Sequence, residues 1–144
     1  MSCVFCDIAS GLLPASFVFQ DEDVLAFMSL EQPNPYKVLV IPRAHVESLY
    51  DLNDEQAAHI FQTTVRIARA IRDVSDCPGL NLVQCNGAAG QQDVFHFHLH
   101  LVPRFPNDTA QERIILTWDN TIQERVYLDR LAADIATNLT YLKN

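Results

Sequence analysis

A chain of 144 residues, 49% of them hydrophobic, is long enough for one compact domain with its own core and too short to promise two. A formal net charge of −8 and a pI near 4.9 exclude recognition of nucleic acid through a broad basic surface, though not a nucleotide-sized ligand held by a few local groups. The sequence holds no run of 18 apolar residues to cross a bilayer, and Met1 to Cys6 lack the basic and long apolar stretches of a signal peptide. The expected setting is therefore cytoplasmic, with neither membrane nor nucleic acid as a partner. There the four cysteines, Cys3, Cys6, Cys77 and Cys85, are expected as thiols or metal ligands rather than disulfides, and only the first pair has motif spacing.

Taken in chain order, residues 17–20 and 24–28 flank the acidic turn Asp21-Glu22-Asp23 and predict a hairpin. A loop marked by Pro33 and Pro35 leads to a third strand, Val38 to Ile41, expected to stop at Pro42 because proline supplies no ladder donor. Asn53 with Gln56 three residues on forms a capping box, after which Ile60, Thr64, Ile67, Ala68 and Ile71 recur at helical spacing up to Pro78-Gly79. Asn81 to Asn86 predicts a strand, a Gly-Ala-Ala-Gly loop intervenes, and Val94 to Val102 predicts another strand ending before Pro103. Ile114 to Trp118 suggests a short edge strand. Thr121 and Glu124 suggest a second capping box that opens a C-terminal helix over about 121–142, with Leu128, Leu131, Ile135, Leu139 and Leu142 inward. Closely spaced strands followed by a helix, without regular βαβ alternation, indicate an α+β domain with a mainly antiparallel sheet.

Functional content concentrates in Val94-Phe95-His96-Phe97-His98-Leu99-His100-Leu101-Val102. Successive strand side chains point to opposite faces, so Phe95, Phe97, Leu99 and Leu101 are expected in the core and His96, His98 and His100 on the other face. A solvated face has no physical reason to choose imidazole three times, whereas proton transfer, attack on phosphorus and metal binding all do. From the strand alone two readings stand: a His-rich metal centre, or imidazoles acting on an anionic substrate. Upstream, Asn86-Gly87-Ala88-Ala89-Gly90-Gln91-Gln92-Asp93 is a small-residue loop whose backbone can approach a phosphate and donate N–H groups to it.

Asn86-Gly87 through Gln92-x-Val94-x-His96-x-His98-x-His100 resembles the signature of the histidine triad (HIT) superfamily. Cys3-Val-Phe-Cys6, the Val24 to Phe27 strand, Val38 to Pro42 followed by His45, and Val102-Pro103-Arg104 fall in that family's order. The resemblance implies one HIT domain over 1–144 with a five-stranded antiparallel sheet, two long helices and a short N-terminal helix, assembled as a homodimer. It implies a nucleotide hydrolase or nucleotidyl transferase in which His98 attacks the α-phosphorus of a nucleoside phosphoramidate or dinucleoside polyphosphate. The nucleotidyl-histidine that forms is then hydrolysed. Neutral imidazole suits that step, and its Nδ1–H should be held by a backbone carbonyl. His100 matches a position that stabilises the phosphate oxygens. Asn86 and Gln92 match positions that hydrogen-bond the phosphate region, where turn chemistry is the alternative for Asn86. Val94 and the strand carrying Phe27 match the pocket for a purine nucleoside.

The chain departs from the family pattern at several points. Ser29 stands where a ribose-binding aspartate is usual, and Tyr36-Lys37 replaces a common Gly-His. Gln91 takes the place of a glycine, and Asp93 stands where some branches carry a hydroxyl that touches phosphate; an ionised carboxylate cannot donate there, which leaves its backbone N–H. These departures keep alive a purine-nucleotide-binding partner protein with little turnover.

Cys3-x-x-Cys6 has the spacing for two thiolates on one tetrahedral ion. The resemblance implies Zn²⁺ held by Cys3, Cys6, His45 and His96, a closed and hence structural site. The alternatives are two unlinked thiols or a redox pair, though the latter belongs at a strand-to-helix junction of a βαβ unit. A metal-dependent cupin is a further reading of His-x-His, but four glycines and two long helices fit such a barrel poorly. His59, Cys77 and Cys85 are expected to be ordinary residues, and Arg43 and Arg104 either lend positive potential to the site or are solvated.

Overall fold

The computed structural model describes residues 3–106, 108 and 121–139. The chain divides into two compact units, Met1–Arg113 and Ile114–Asn144. In the first, strands β1 (Phe17–Gln20), β2 (Val24–Met28), β3 (Val38–Pro42), β4 (Gly79–Val83) and β5 (Leu99–Arg104) form one antiparallel sheet in the order β1-β2-β3-β5-β4. Helix α1 (Val4–Ala9) precedes the sheet, and α2 (Asp54–Ser75) connects β3 to β4. The α+β architecture expected from the strand spacing is thus the one observed.

The two faces of the sheet bury different sets of side chains. On one, Val24, Ala26, Val38, Val40, Leu99 and Leu101 pack against Ile60, Ile67 and Ile71 of α2, the stripe that its helical spacing foretold. Asn53 and Gln56 close the capping box reciprocally, Asn53 Oδ1 accepting from Gln56 N at 2.9 Å and Gln56 Oε1 from Asn53 N at 3.1 Å. On the opposite face Leu25, Phe27, Leu39 and Ile41 gather around Phe5 of α1. Leu39 pairs with His100 across β3 and β5, so the histidine-bearing face is the one that α1 covers.

Several strand boundaries differ from expectation. Pro42 lies within β3, opposite Val24, at a level where the described β5 pairing, which ends at Val40, no longer needs its donor. Pro103 likewise lies inside β5, past the reach of β3, and β4 begins at Gly79 rather than Asn81. The strand expected from Val94 begins only at Leu99. Its first half has its hydrogen bonds elsewhere: Phe97 N donates to Val46 O at 2.6 Å and His96 O accepts from the His98 ring at 2.7 Å. Alternation persists from Phe97 onward, but Phe95, expected in the core, is 43% exposed.

In the second unit, α3 spans Arg125–Asn138. The expected Thr121–Glu124 capping box is not formed, because Glu124 itself occupies the N-cap position without a side-chain cap. Leu128, Leu131, Ile135 and Leu139 are 37 to 67% exposed rather than inward; within its own unit no other described element lies beside them. The strand suggested at Ile114 to Trp118, and Leu142, lie outside the described residues. Among the described residues no helix is long and apolar enough to cross a membrane.

Tyr36, Asp76 and Gln91 adopt positive φ values of 74°, 52° and 66°. Asp76 ends α2 in the left-handed conformation, which a short polar side chain tolerates. Tyr36 does not share that tolerance, and it is the position where the family pattern places glycine. The left-handed region costs a side-chain-bearing residue about 1–2 kcal/mol, against about 0.5–1 kcal/mol of extra chain entropy for glycine. Tyr36→Gly is therefore expected to raise Tm by a few degrees in thermal denaturation. A lower Tm would show that the half-exposed ring contributes more than the backbone loses.

Candidate functional site

Beside the triad lies a cavity of about 550 Å³, of a size that takes a mononucleotide. Its apolar wall comes from α1 (Phe5, Ile8), β2 (Phe27, Met28), Leu39 and Val94; its polar groups are Ser29, Glu31, Lys37, Asp93, His98 and His100. Phe27, Ser29, Asp93 and Val94, singled out from sequence, thus share one cavity with two of the three triad histidines.

His98 is 3% exposed, and its orientation is fixed. Nδ1 lies 2.7 Å from His96 O; a carbonyl only accepts, so Nδ1 carries a proton, and in the neutral ring the lone pair is on Nε2. Nε2 lies 3.4 Å from Asp93 Oδ1. The His100 ring centroid is 4.8 Å from that of His98, inclined at 65°. Burial first, then His98 and Lys37, press the His100 pKa down to about 4, with Asp93 opposing. His100 therefore carries a neutral imidazole with an N–H to donate. Unfolded, it titrates near 6.5, so the stability it contributes is complete above that value and is lost as pH falls from about 6.5 through 4. NMR titration of its ring protons is expected to give a midpoint near 4, and a midpoint near 6.5 would contradict this environment.

His96, 0% exposed, turns away from the cavity. Its Nε2–H donates to Pro42 O at 2.8 Å, which leaves Nδ1 as a lone-pair nitrogen, 3.4 Å from Cys3 Sγ and 3.6 Å from Cys6 Sγ. His45 Nδ1 lies 3.3 Å from Cys6 Sγ. The ligand atoms of Cys3, Cys6, His45 and His96 all fall within 4.8 Å of one another. Zinc bonds of about 2.3 Å to sulfur and 2.1 Å to nitrogen imply tetrahedral edges of roughly 3.4–3.8 Å, close to the three sulfur–nitrogen distances of 3.3, 3.4 and 3.6 Å. Burial, then the neighbouring Cys3, push the Cys6 thiol up, a penalty that a cation between the sulfurs would reverse. The donor set, spacing and second hydrogen bond on His96 all fit a tetrahedral zinc ion.

Asn86 and Gln92 hold the preceding loop and are not on the cavity wall. Asn86 Oδ1 accepts from Leu49 N at 2.7 Å, Gln92 Oε1 accepts from Gly87 N at 2.8 Å, and Gln92 Nε2 donates to Glu47 O at 2.7 Å. Contact with phosphate would have to replace these bonds. Arg43 donates to the carbonyls of Asp21 and Ala9, and Arg104 pairs with Asp108 and Asn81, so neither cation serves the cavity. His59 is more than an ordinary surface residue: Nε2 lies 2.7 Å from Asp21 Oδ2, tying α2 to the β1–β2 turn.

Phe5 is the site residue that sequence reasoning missed. Its ring stands edge-on to His96, His98 and Phe27, at centroid distances of 5.7, 5.2 and 5.8 Å, and so joins the cysteine cluster to the cavity. The available signal was its place between Cys3 and Cys6, since any ion that fixed those cysteines would also fix the residue between them.

The family model for the HIT domain matches residues 10–107. The protein Hit of Bacillus subtilis is 43% identical over 104 residues, covering 72% of each chain. The adenosine 5′-monophosphoramidase of Schizosaccharomyces pombe is 32% identical over 108 residues, covering 75% of this chain and 77% of that one. The crystal structure of a HIT family member from Bacillus subtilis superposes with a TM-score of 0.89 at 35% identity, covering 96% of this chain and 98% of that one.

Proposed function

The chain belongs to the HIT family, and from that premise we propose that it is a nucleotide hydrolase or nucleotidyl transferase whose His98 attacks the α-phosphorus of a purine nucleotide derivative. The observation that carries this reading is the His98 Nδ1–H bond to His96 O, which makes Nε2 the nucleophilic nitrogen of the neutral ring at the edge of a nucleotide-sized cavity. The base lies between Phe27, Val94 and the residues of α1, and Ser29 offers the ribose one hydroxyl in place of a carboxylate.

In the first step the Nε2 lone pair forms a bond to the α-phosphorus while the bond from phosphorus to the leaving group breaks. The leaving group takes the electron pair of that bond and a proton from solvent water, and the chain is left as a nucleotidyl-histidine. His100 donates a hydrogen bond to a phosphate oxygen as charge accumulates there. Water, or another acceptor in a transferase, then attacks the same phosphorus, and the bond to Nε2 breaks to release the nucleotide and restore His98.

Cys3, Cys6, His45 and His96 hold Zn²⁺ in this reading. With four protein ligands, zinc supplies structural cross-linking rather than an activated water. The four residues would then fix His96, whose carbonyl accepts from His98 Nδ1, so the cluster would act on the nucleophile through one backbone oxygen.

The test is AMP release from adenosine 5′-phosphoramidate at neutral pH by the full chain. Turnover is the expected result; tight AMP binding with no turnover of any phosphoramidate or dinucleoside polyphosphate would instead identify a nucleotide-binding protein.

A further inference from the structure

The cavity is poor in positive charge for a site that takes a phosphate. Of its described lining residues Lys37 is the one with a full cationic charge, whereas Glu31 and Asp93 are both carboxylates. His100 adds no charge at neutral pH. One anionic charge, that of an α-phosphate diester or amidate, is matched by Lys37. Every further negative charge meets two carboxylates without a counterion.

Asp93 is placed to make this difference felt at the reacting atoms. Its Oδ1 lies 3.4 Å from His98 Nε2 and also accepts from Val94 N at 2.8 Å. The hydrogen bond from Val94 N keeps the carboxylate beside the nucleophile although the side chain is 78% exposed. Burial works to raise its pKa, but the backbone N–H groups of Val94 and Asp93, with His98 and His100, hold it below the usual carboxylate range. An ionised carboxylate is an acceptor only. An amine leaving group brings N–H donors to it, whereas a polyphosphate brings only acceptors and more negative charge.

We infer that Asp93 is a specificity-determining residue that restricts the site to nucleoside monophosphate derivatives with neutral or cationic leaving groups, amines above all, and rejects polyphosphate leaving groups. The inference rests on the proposed nucleotide chemistry at His98. Like charges about 7 Å apart, in surroundings between protein and water, correspond to a roughly five- to tenfold discrimination for one added charge.

The experiment compares the affinities of AMP and ADP by titration calorimetry for the full chain and for its Asp93→Asn and Asp93→Glu variants. In the unaltered chain ADP is expected to bind at least fivefold more weakly than AMP. Asp93→Asn is expected to bring that ratio close to one, and Asp93→Glu to retain most of it, a rescue that a purely structural role would not produce. The ratio of kcat/KM for adenosine 5′-phosphoramidate over that for diadenosine triphosphate should fall by the same factor in Asp93→Asn. Asp93→Ser serves as a second charge-free variant, and circular dichroism verifies the fold of each. An unchanged AMP-to-ADP ratio in both charge-free variants, or equal affinities in the unaltered chain, would overturn the role of Asp93 while leaving the chemistry at His98 standing. A chain that binds neither nucleotide would overturn both.

Discussion

His98→Ala is expected to lower AMP release from adenosine 5′-phosphoramidate by at least about 10⁴-fold, because it removes the atom that carries the covalent intermediate and not merely a binding contact. The loss should fall on kcat, with AMP affinity little changed, since Phe27, Val94 and the α1 residues still line the cavity. His98→Asn is a second variant with less change in packed volume. His100→Ala, which removes a hydrogen-bond donor and leaves the nucleophile, is expected to cost less, about 10²-fold. Stopped and continuous assays of nucleotide release would measure both, with circular dichroism checking the fold. Full activity in His98→Ala would remove the basis of the proposed mechanism.

Removing the metal is the second large effect. Protein purified without chelator is expected to contain one zinc per chain, and stripping it should lower Tm by about 10 °C, corresponding to roughly 3 kcal/mol for a chain of this size. Cys3→Ala should reproduce most of that loss, because three ligands would then hold α1 to Pro42 and the triad instead of four. The cluster also reaches the chemistry: His96 is held on one side by the cysteines and on the other by Pro42 O, and its own carbonyl oxygen fixes His98. Zinc-free protein is therefore expected to lose about 10- to 100-fold in kcat even below its unfolding temperature. Absence of stoichiometric metal, together with an unchanged Tm in Cys3→Ala, would exclude the site.

Local signals that depend on short spacing were legible in the sequence. The β1–β2 hairpin, the reciprocal Asn53–Gln56 cap and the buried stripe of α2 each follow from residues within a few positions of one another. The cluster of Cys3, Cys6, His45 and His96 was legible for a different reason: Cys-x-x-Cys spacing pointed to two ligands, and the family resemblance named the other two, although the sheet brings them together over 93 positions.

What was not legible depends on where backbone hydrogen bonds and packing partners lie in space. Alternation from Val94 to Val102 satisfies a strand pattern throughout, yet Phe97 N bonds to Val46 O and the ladder starts at Leu99. Periodicity records which face a side chain takes, not whether its backbone has a partner. The same limit applies to α3, whose apolar residues are spaced for burial but are exposed, and to Phe95. Asn86 and Gln92 matched positions implied to touch phosphate, but their side chains are bonded within their own loop and to Leu49 and Glu47. Tyr36 reads as an ordinary loop tyrosine until its φ of 74° is seen; the missing glycine was the only hint.

The most direct test of the central claim is to mix the protein with excess adenosine 5′-phosphoramidate, quench at alkaline pH, where a phosphorus–histidine bond survives, and weigh the intact chain. A transient mass gain of one adenylyl group is predicted, mapped to His98 by peptide fragmentation and absent from His98→Ala. AMP release at the full rate with no adduct at any time, or an adduct on another residue, would contradict attack by His98.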